Sequence, residues 1–246
     1  MSDNLFLPGV NEMRARAALA KAGGMEIESG KFGSKESSAA LAVNTFGWFI
    51  DRPVALPPLP GLEDLDWPAG RVDVERSLRF PWSGGRHPWL DAVVETELHL
   101  IGIESKRFEP FRDTKHVRLS DAYDRPVWGD QMRPFEALRD GLRGGLRYEH
   151  LDAAQLVKHA FGIVTQAAKC GKQPVLYYIF AEPLNRAGMP IPTSQIARHR
   201  SEIADFADRT KGAAVRFASA SYREYLSRFL GASAGHAAAI LEVFAP

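Results

Sequence analysis

The stretch LDAVVETELHLIGIESK, residues 90–106, decides the fold expected of this chain. It holds two neighbouring runs with the composition of β-strands, residues 90–96 and residues 98–107. The first run carries an acid near its start, and the second reaches Glu-x-Lys as its apolar part stops. The pattern predicts a β-hairpin with charged side chains gathered at one end.

Three of these charged side chains form a candidate catalytic set. Because side chains alternate along a strand, Glu104 and Lys106 project from the same face. A hairpin brings Asp91 beside Glu104, which places two carboxylates and one ammonium within a few ångströms. Carboxylates this close repel each other unless a cation lies between them, so the set predicts a site for a hard divalent metal. The chemistry it favours is phosphodiester hydrolysis.

The whole chain sets broad limits on the class of protein. Its 246 residues are 45% apolar and 25% charged, which suffices for one well-filled core. The net charge of +1 neither requires nor excludes nucleic acid as a partner. A single cysteine, Cys170, excludes an internal disulfide and a thiolate zinc site. With no long apolar run and no signal-peptide core, a soluble cytoplasmic protein is expected.

The pattern around the hairpin is that of a mixed α/β chain. A helix is expected from Ser34, and this start places Glu36 in its first turn. Further elements are predicted as a strand over 71–80, a helix from the cap Asp152 to Gly171, a strand over 175–180, a helix over 195–209 and a strand over 214–218, followed by one or two helices. Residues 1–30 are interpreted as an N-terminal helical extension. Residues 31–246 are interpreted as one domain with an irregular insert at about 108–148.

The order of these elements and several motifs resemble the PD-(D/E)xK nuclease superfamily, with the restriction-endonuclease-like fold. A closer likeness, over residues 31–185, is to a bacterial group of restriction-endonuclease-like proteins. The shared motifs are Ser-Ser-x-Ala-Leu-x-x-Asn-x-Phe at 37–46, Glu-x-Lys-x-x-Glu-Pro-Phe at 104–111, Gln-Leu-x-x-His at 155–159 and Leu-Tyr-Tyr at 176–178. One departure is that Trp89-Leu90-Asp91 replaces the Pro-Asp dipeptide of the superfamily.

The resemblance implies a fold and an activity. The fold is an α/β core of order α-β-β-β-α-β, a mixed sheet flanked by helices, with C-terminal accessory helices and a strand. The activity is Mg²⁺-dependent hydrolysis of DNA, with Mn²⁺ able to replace Mg²⁺. Asp91, Glu104 and the main-chain carbonyl of Ser105 would be the metal ligands. Lys106 would position or deprotonate the attacking water, or offset charge in the transition state.

Other site residues follow from the same likeness. Glu36 would be an additional catalytic acid, although a first-turn glutamate favoured by the helix dipole is the alternative. Gln155 is expected to contact the scissile phosphate or the water, and Lys158 to contact phosphate. His159, beside them on the same helix, could also contact the phosphate or the water, but it is interpreted as a surface or hydrogen-bonded histidine. Glu75 competes with Glu36 for the role of additional acid, but it is interpreted as a residue of the sheet surface. Glu109, just past the lysine, would bind a second metal or a basic neighbour.

The insert carries many arginines interleaved with aromatic residues, and Arg112 and Arg118 are the candidates for substrate binding. Acids are interspersed, so a solvated lid with internal ion pairs is an equal alternative. A homodimer is possible. The rival function is a non-catalytic nucleic-acid-binding or structural protein that retains the nuclease fold. Endonuclease and exonuclease action both stay open.

Overall fold

A computed structural model describes residues 5–22, 27–34, 36–82 and 87–246. The strands are β1 (Arg71–Ser77), β2 (Trp89–Glu95), β3 (His99–Lys106), β4 (Gln173–Phe180), β5 (Asn185–Arg186), β6 (Met189–Pro190) and β7 (Arg216–Ser221). The helices are α1 (Glu12–Lys21), α2 (Ser38–Gly47), α3 (Glu109–Arg112), α4 (Arg133–Arg143), α5 (Ala153–Cys170), α6 (Thr193–Thr210), α7 (Tyr222–Leu226) and α8 (Ala234–Phe244).

The main sheet has five strands in the order β1-β2-β3-β4-β7. The first three are antiparallel neighbours, whereas β3–β4 and β4–β7 are parallel. The parallel pairs are joined by crossovers that contain helices, as the geometry of parallel strands requires. Strands β5 and β6 form a separate small hairpin. The predicted β2–β3 hairpin and the mixed α/β core with its accessory elements are therefore confirmed.

Each face of the sheet packs against its own group of helices, and each has its own apolar core. One core includes Phe46 of α2, Ile103 of β3 and Ile240 of α8. The other includes Phe161 of α5 and Phe206 of α6. The restriction-endonuclease-like arrangement, a sheet between two helical layers, follows from this division.

Close packing holds α5 against the sheet. A Cβ added at Gly102 of β3 would lie 2.4 Å from Leu90 Cδ1 and 2.6 Å from Ile163 Cδ1 of α5, so a larger residue there would displace both side chains. The helix starts at the cap Asp152, whose Oδ1 accepts a hydrogen bond from Gln155 N at 2.9 Å. It stops at Gly171, where φ is +66°, a conformation that favours glycine. These features fix which α5 side chains face the end of β3.

Two expectations differ from the structure. Helix α2 begins at Ser38 and not at Ser34, because the Ser37 side chain caps it by accepting a hydrogen bond from Ala40 N at 3.0 Å. Glu36 consequently precedes the helix and is not in its first turn. The insert, expected to be irregular, contains α4.

Helix α4 was missed because its apolar residues are sparse and separated by charges. Phe135, Leu138 and Leu142 occupy one stripe at i, i+3 and i+7, and all three are buried. Pro134 stands in the first turn, a position where proline is tolerated. Within the described residues, no helix combines the length and apolar character needed to cross a bilayer.

Candidate active site

The candidate site lies where β2 and β3 separate. Their main-chain pairing ends at Ala92 and Ile103. Past this pair of residues, the side chain of Asp91 replaces the main chain of β2 as the hydrogen-bond acceptor. Its Oδ2 accepts a hydrogen bond from Ser105 N at 2.6 Å. Burial raises the pKa of Asp91 well above its ordinary value, and the nearby charges of Glu104 and Glu75 raise it further, against the lowering effect of Lys106. The surroundings of Asp91 therefore supply too little positive charge to compensate its ionised carboxylate.

Glu104 is the most deeply buried member of the site, with only 2% of its surface exposed. Its Oε1 accepts a hydrogen bond from Lys106 Nζ, and its Oε2 lies 3.1 Å from His159 Nδ1. Burial raises the pKa of Glu104, but the charges of Lys106 and His159 outweigh this and lower the pKa to about 2. Glu104 is therefore ionised at neutral pH.

Lys106 is the cation of the cluster. Burial lowers the pKa of Lys106, but the negative charges of Glu104, Asp91 and Glu109 outweigh this effect and raise the pKa. The ammonium stays protonated at neutral pH. Of the roles expected for this residue, supplying positive charge to a transition state fits the protonated form, whereas deprotonating water does not.

A cavity of about 360 Å³ opens beside Lys106. Three residues expected at the site from sequence, Gln155, Lys158 and Arg118, line it together with Lys106. Burial lowers the pKa of Lys158; the charge of Asp152 raises it, and the positive charge of Arg118 lowers it. Two cations close enough to affect one another are an arrangement that suits a phosphate group.

Two residues of the site were considered from the sequence but not assigned to it. Glu75 falls opposite Asp91, because Val74 pairs with Ala92 and Arg76 with Leu90, and its φ of +49° marks a local departure from strand geometry. It was interpreted as a residue of the sheet surface, but its charge acts on Asp91. The hairpin register was the signal that could have identified it.

His159 is the second of these residues. It was interpreted as a surface or hydrogen-bonded histidine, yet it is 3% exposed and faces Glu104 from α5. The signal was available, because His159 stands three residues after Leu156 and four before Ile163, on the apolar stripe of the helix. That stripe packs on the sheet, so it presses the imidazole against the strand end.

Glu36 lies in a different charge cluster. Its carboxylate accepts a hydrogen bond from Arg186 Nε at 2.9 Å and from Arg112 Nη1 at 3.2 Å. The hydrogen bond from Arg186 lowers the pKa of Glu36, burial raises it, and Arg112 lowers it further, with a net lowering. The structure thus brings Glu36 together with two guanidinium groups. Its role as a catalytic acid stays a prediction.

Glu109 is held by protein groups. Its Oε1 accepts a hydrogen bond from Ser38 Oγ at 2.5 Å, and its Oε2 accepts one from Arg107 N at 2.9 Å. The carboxylate therefore ties the residues just past β3 to the start of α2. Its charge also raises the pKa of Lys106. Whether it binds a second metal stays a prediction.

Several arginines of the insert form ion pairs within the chain. Arg112 Nε lies 2.6 Å from Asp113 Oδ1 and also contacts Glu36. Arg143 Nη1 lies 2.5 Å from Asp124 Oδ1. Of the two arginines proposed to bind substrate, Arg118 lines the cavity beside Lys106, whereas Arg112 is engaged by carboxylates. Arg118 of the insert therefore fits the predicted binding surface. Arg112 and Arg143 fit the alternative of a lid with internal ion pairs.

The implied divalent metal fits the donors that are present. Among the described residues, no group of three or more His, Cys, Asp or Glu side chains converges on a point that could hold an ion. The expected set is smaller, namely the carboxylates of Asp91 and Glu104 with the Ser105 carbonyl. Asp91 is destabilised in its ionised form by Glu104. A cation beside the pair would relieve that repulsion, so the chemistry of the donors suits a hard metal ion.

The sheet topology and the acidic strand end define a protein of the restriction-endonuclease-like class. Comparison with protein families agrees: the model of a family described as restriction endonuclease associating with ARP matches residues 2–238. The chain belongs to this family, and the resemblance noted in its sequence is confirmed. Searches of curated proteins and of solved structures found no match.

Proposed function

We propose that this protein is a metal-dependent nuclease that hydrolyses phosphodiester bonds in DNA. The observation that carries the proposal is the meeting of Asp91, Glu104 and Lys106 where β2 and β3 separate. The cation-lined cavity beside Lys106 offers room for a phosphate group. Membership of a restriction endonuclease family supports DNA as the substrate.

Asp91, Glu104 and the main-chain carbonyl of Ser105 would hold Mg²⁺, and Mn²⁺ is expected to replace it. When bound, such an ion makes a water molecule more acidic and neutralises negative charge on the phosphate and the leaving oxygen. Glu104 already has the Lys106 ammonium and the His159 imidazole as neighbours, so its carboxylate would be shared between these two nitrogens and the metal.

The remaining site residues act on the substrate directly. Lys106, held protonated by its acidic neighbours, places a positive charge where the phosphate gains negative charge in the transition state. Lys158 and Arg118 bind phosphate oxygens from the wall of the same cavity. Gln155, one turn before Lys158 on α5, positions the phosphate or the attacking water through its amide.

A non-catalytic DNA-binding protein is the second candidate. The observation that favours it is the contact of both Glu104 oxygens with side-chain nitrogens of Lys106 and His159. In this reading the acidic cluster is a closed ion-pair network, and the cations of the cavity bind DNA without cleaving it.

Incubation with circular and linear DNA, each with Mg²⁺, with Mn²⁺ or with a chelator, tests the proposal. We expect cleavage with either metal and none with the chelator, and the loss of circular DNA would indicate endonuclease action. The Glu104→Gln variant keeps the shape of the side chain and removes its charge, so it should bind DNA without cutting it. Binding without cleavage by the unaltered protein under all metal conditions would favour the second candidate.

A further inference from the structure

A second cavity lies next to the end of β3. Its volume is about 930 Å³, within the range of roughly 300–1,000 Å³ typical of small-molecule sites. Arg107 lines this cavity, whereas Lys106, the residue before it, lines the first one. Two cavities thus meet at this strand end, and the proposed nuclease chemistry uses only the one beside Lys106.

Positive charge predominates among the described residues that line the second cavity. These residues include three arginines and one carboxylate: Arg107, Arg186, Arg223 and Glu36. Arg107 is 5% exposed, and its Nη2 donates a hydrogen bond to the main-chain oxygen of Phe244. Arg223 Nε donates to the main-chain oxygen of Pro246 at 2.8 Å, and Arg186 Nε donates to the carboxylate of Glu36 at 2.9 Å. Because three arginine side chains line the cavity with one carboxylate side chain, the side chains of the lining keep an excess of positive charge that suits an anion.

Most of the remaining lining residues are apolar or aromatic. The guanidinium of Arg107 lies 5.0 Å from the ring centre of Phe108 and 5.2 Å from that of Phe244. At the cavity's edge, Leu184 is 72% exposed and Val243 is 59% exposed. Exposed apolar side chains beside a cavity are the kind of surface that a flat apolar ring covers. The cavity therefore joins guanidinium donors to an apolar wall.

We propose that this second cavity binds a nucleoside phosphate. Guanidinium groups match phosphate oxygens in charge and geometry, so Arg186 and Arg223 would hold the phosphate. The base would lie on the apolar wall near Leu184 and Val243. A free nucleotide and the end of a nucleic-acid strand share this chemistry. The site does not use Asp91, Glu104 or a metal, so it is independent of the proposed nuclease activity.

The test measures binding to the full chain in a chelator, so that no cleavage takes place. Two probes distinguish the sources of the ligand: a fluorescently labelled ATP and a labelled single-stranded oligonucleotide with a terminal phosphate. We expect saturable binding of at least one probe by fluorescence anisotropy. Arg186→Ala and Arg223→Ala should each weaken binding by about tenfold or more, since each removes a charged hydrogen bond. Arg209→Ala removes the same charge from α6 outside the cavity and should keep the affinity.

A second pair of variants keeps the test valid if an arginine variant does not fold. Leu184→Gln removes apolar surface at the exposed edge and should weaken binding of the probe, and Leu184→Glu, which also adds a carboxylate, should weaken it further. Failure of both probes to saturate at millimolar concentration would overturn the proposal, as would full affinity in the cavity variants. Loss of binding in Lys158→Ala alone would move the ligand to the cavity beside Lys106 and would also overturn it. DNA cleavage is measured separately, so the nuclease proposal can fail or hold independently.

Discussion

Two charge clusters of this protein combine acidic and basic side chains in different ways. The buried cluster contains Asp91, Glu104 and Lys106 at the end of the β2–β3 hairpin. The partly exposed cluster contains Glu36 between Arg112 and Arg186. In the first, burial and a neighbouring carboxylate raise the pKa of Asp91. In the second, hydrogen bonds from arginines outweigh burial and lower the pKa of Glu36.

The difference lies in whether the charges of each cluster are balanced. Two guanidinium groups face Glu36, so its negative charge is already compensated in solvent-exposed surroundings. One ammonium and one histidine face the buried carboxylates, and Glu75 adds further negative charge. A buried carboxylate without enough positive charge is costly. The buried cluster therefore has a physical reason to bind a cation, which the exposed cluster lacks.

The largest effect is expected for Lys106→Ala. The change removes the positive charge nearest to Glu104, so DNA cleavage should fall by at least about 100-fold, as for the loss of other transition-state contacts. Arg112→Ala, its matched control in the exposed cluster, should lower the cleavage rate by less than about tenfold. Single-turnover cleavage rates with Mg²⁺ measure both, and a thermal melt checks that each variant is folded. Equal losses of cleavage rate in the two variants would contradict the proposed difference between the buried and the partly exposed cluster.

An intermediate effect is expected for Asp91→Asn on stability. The folded-state pKa of Asp91 lies above its unfolded value, so its contribution to the free energy of unfolding is present at low pH. That contribution is lost as the pH rises through the raised pKa. At neutral pH the neutral asparagine should therefore raise the Tm, by about 2–4 °C for each kcal/mol gained.

Thermal melts with Mg²⁺ test whether Asp91 is a ligand of the metal. Mg²⁺ should raise the Tm of the unaltered protein, because a ligand that binds the folded state stabilises it. Asp91→Asn should remove most of that rise. The contribution of Glu104, whose pKa is lowered from 4.5 to about 2, is lost as the pH falls through this span, whereas that of Asp91 is lost as the pH rises. An unchanged Tm together with a full response to Mg²⁺ would show that Asp91 is not a ligand.

The smallest effect is expected for Glu36→Gln. Its ion pairs with Arg112 and Arg186 are partly exposed, and such pairs contribute about 0–1 kcal/mol. Cleavage should therefore change by no more than about fivefold and the Tm by a few degrees at most. Steady-state cleavage and a thermal melt give both values. A loss as large as that of Lys106→Ala would instead establish Glu36 as the catalytic acid implied by the family resemblance.

Local sequence pattern was sufficient for most elements of the fold. The predicted strands over 90–96 and 98–107 correspond to Trp89–Glu95 and His99–Lys106. The predicted helix over 195–209 corresponds to Thr193–Thr210. These elements are set by periods of two and 3.6 residues, which a short window of sequence contains. Helix α4 carries the helical period in Phe135, Leu138 and Leu142, but these few apolar residues lie within a long charged segment that has no sustained period.

The sequence by itself determined the hairpin and the charged residues that it carries at one end. The tertiary structure alone decided their partners outside the hairpin. His159 reaches Glu104 because α5 packs closely on β3 at Gly102. Glu36 bonds Arg186 from 150 positions away along the chain. Alternation and helical period act between neighbours in sequence, whereas charge balance depends on every group that folding brings within reach, and no local pattern contains that information.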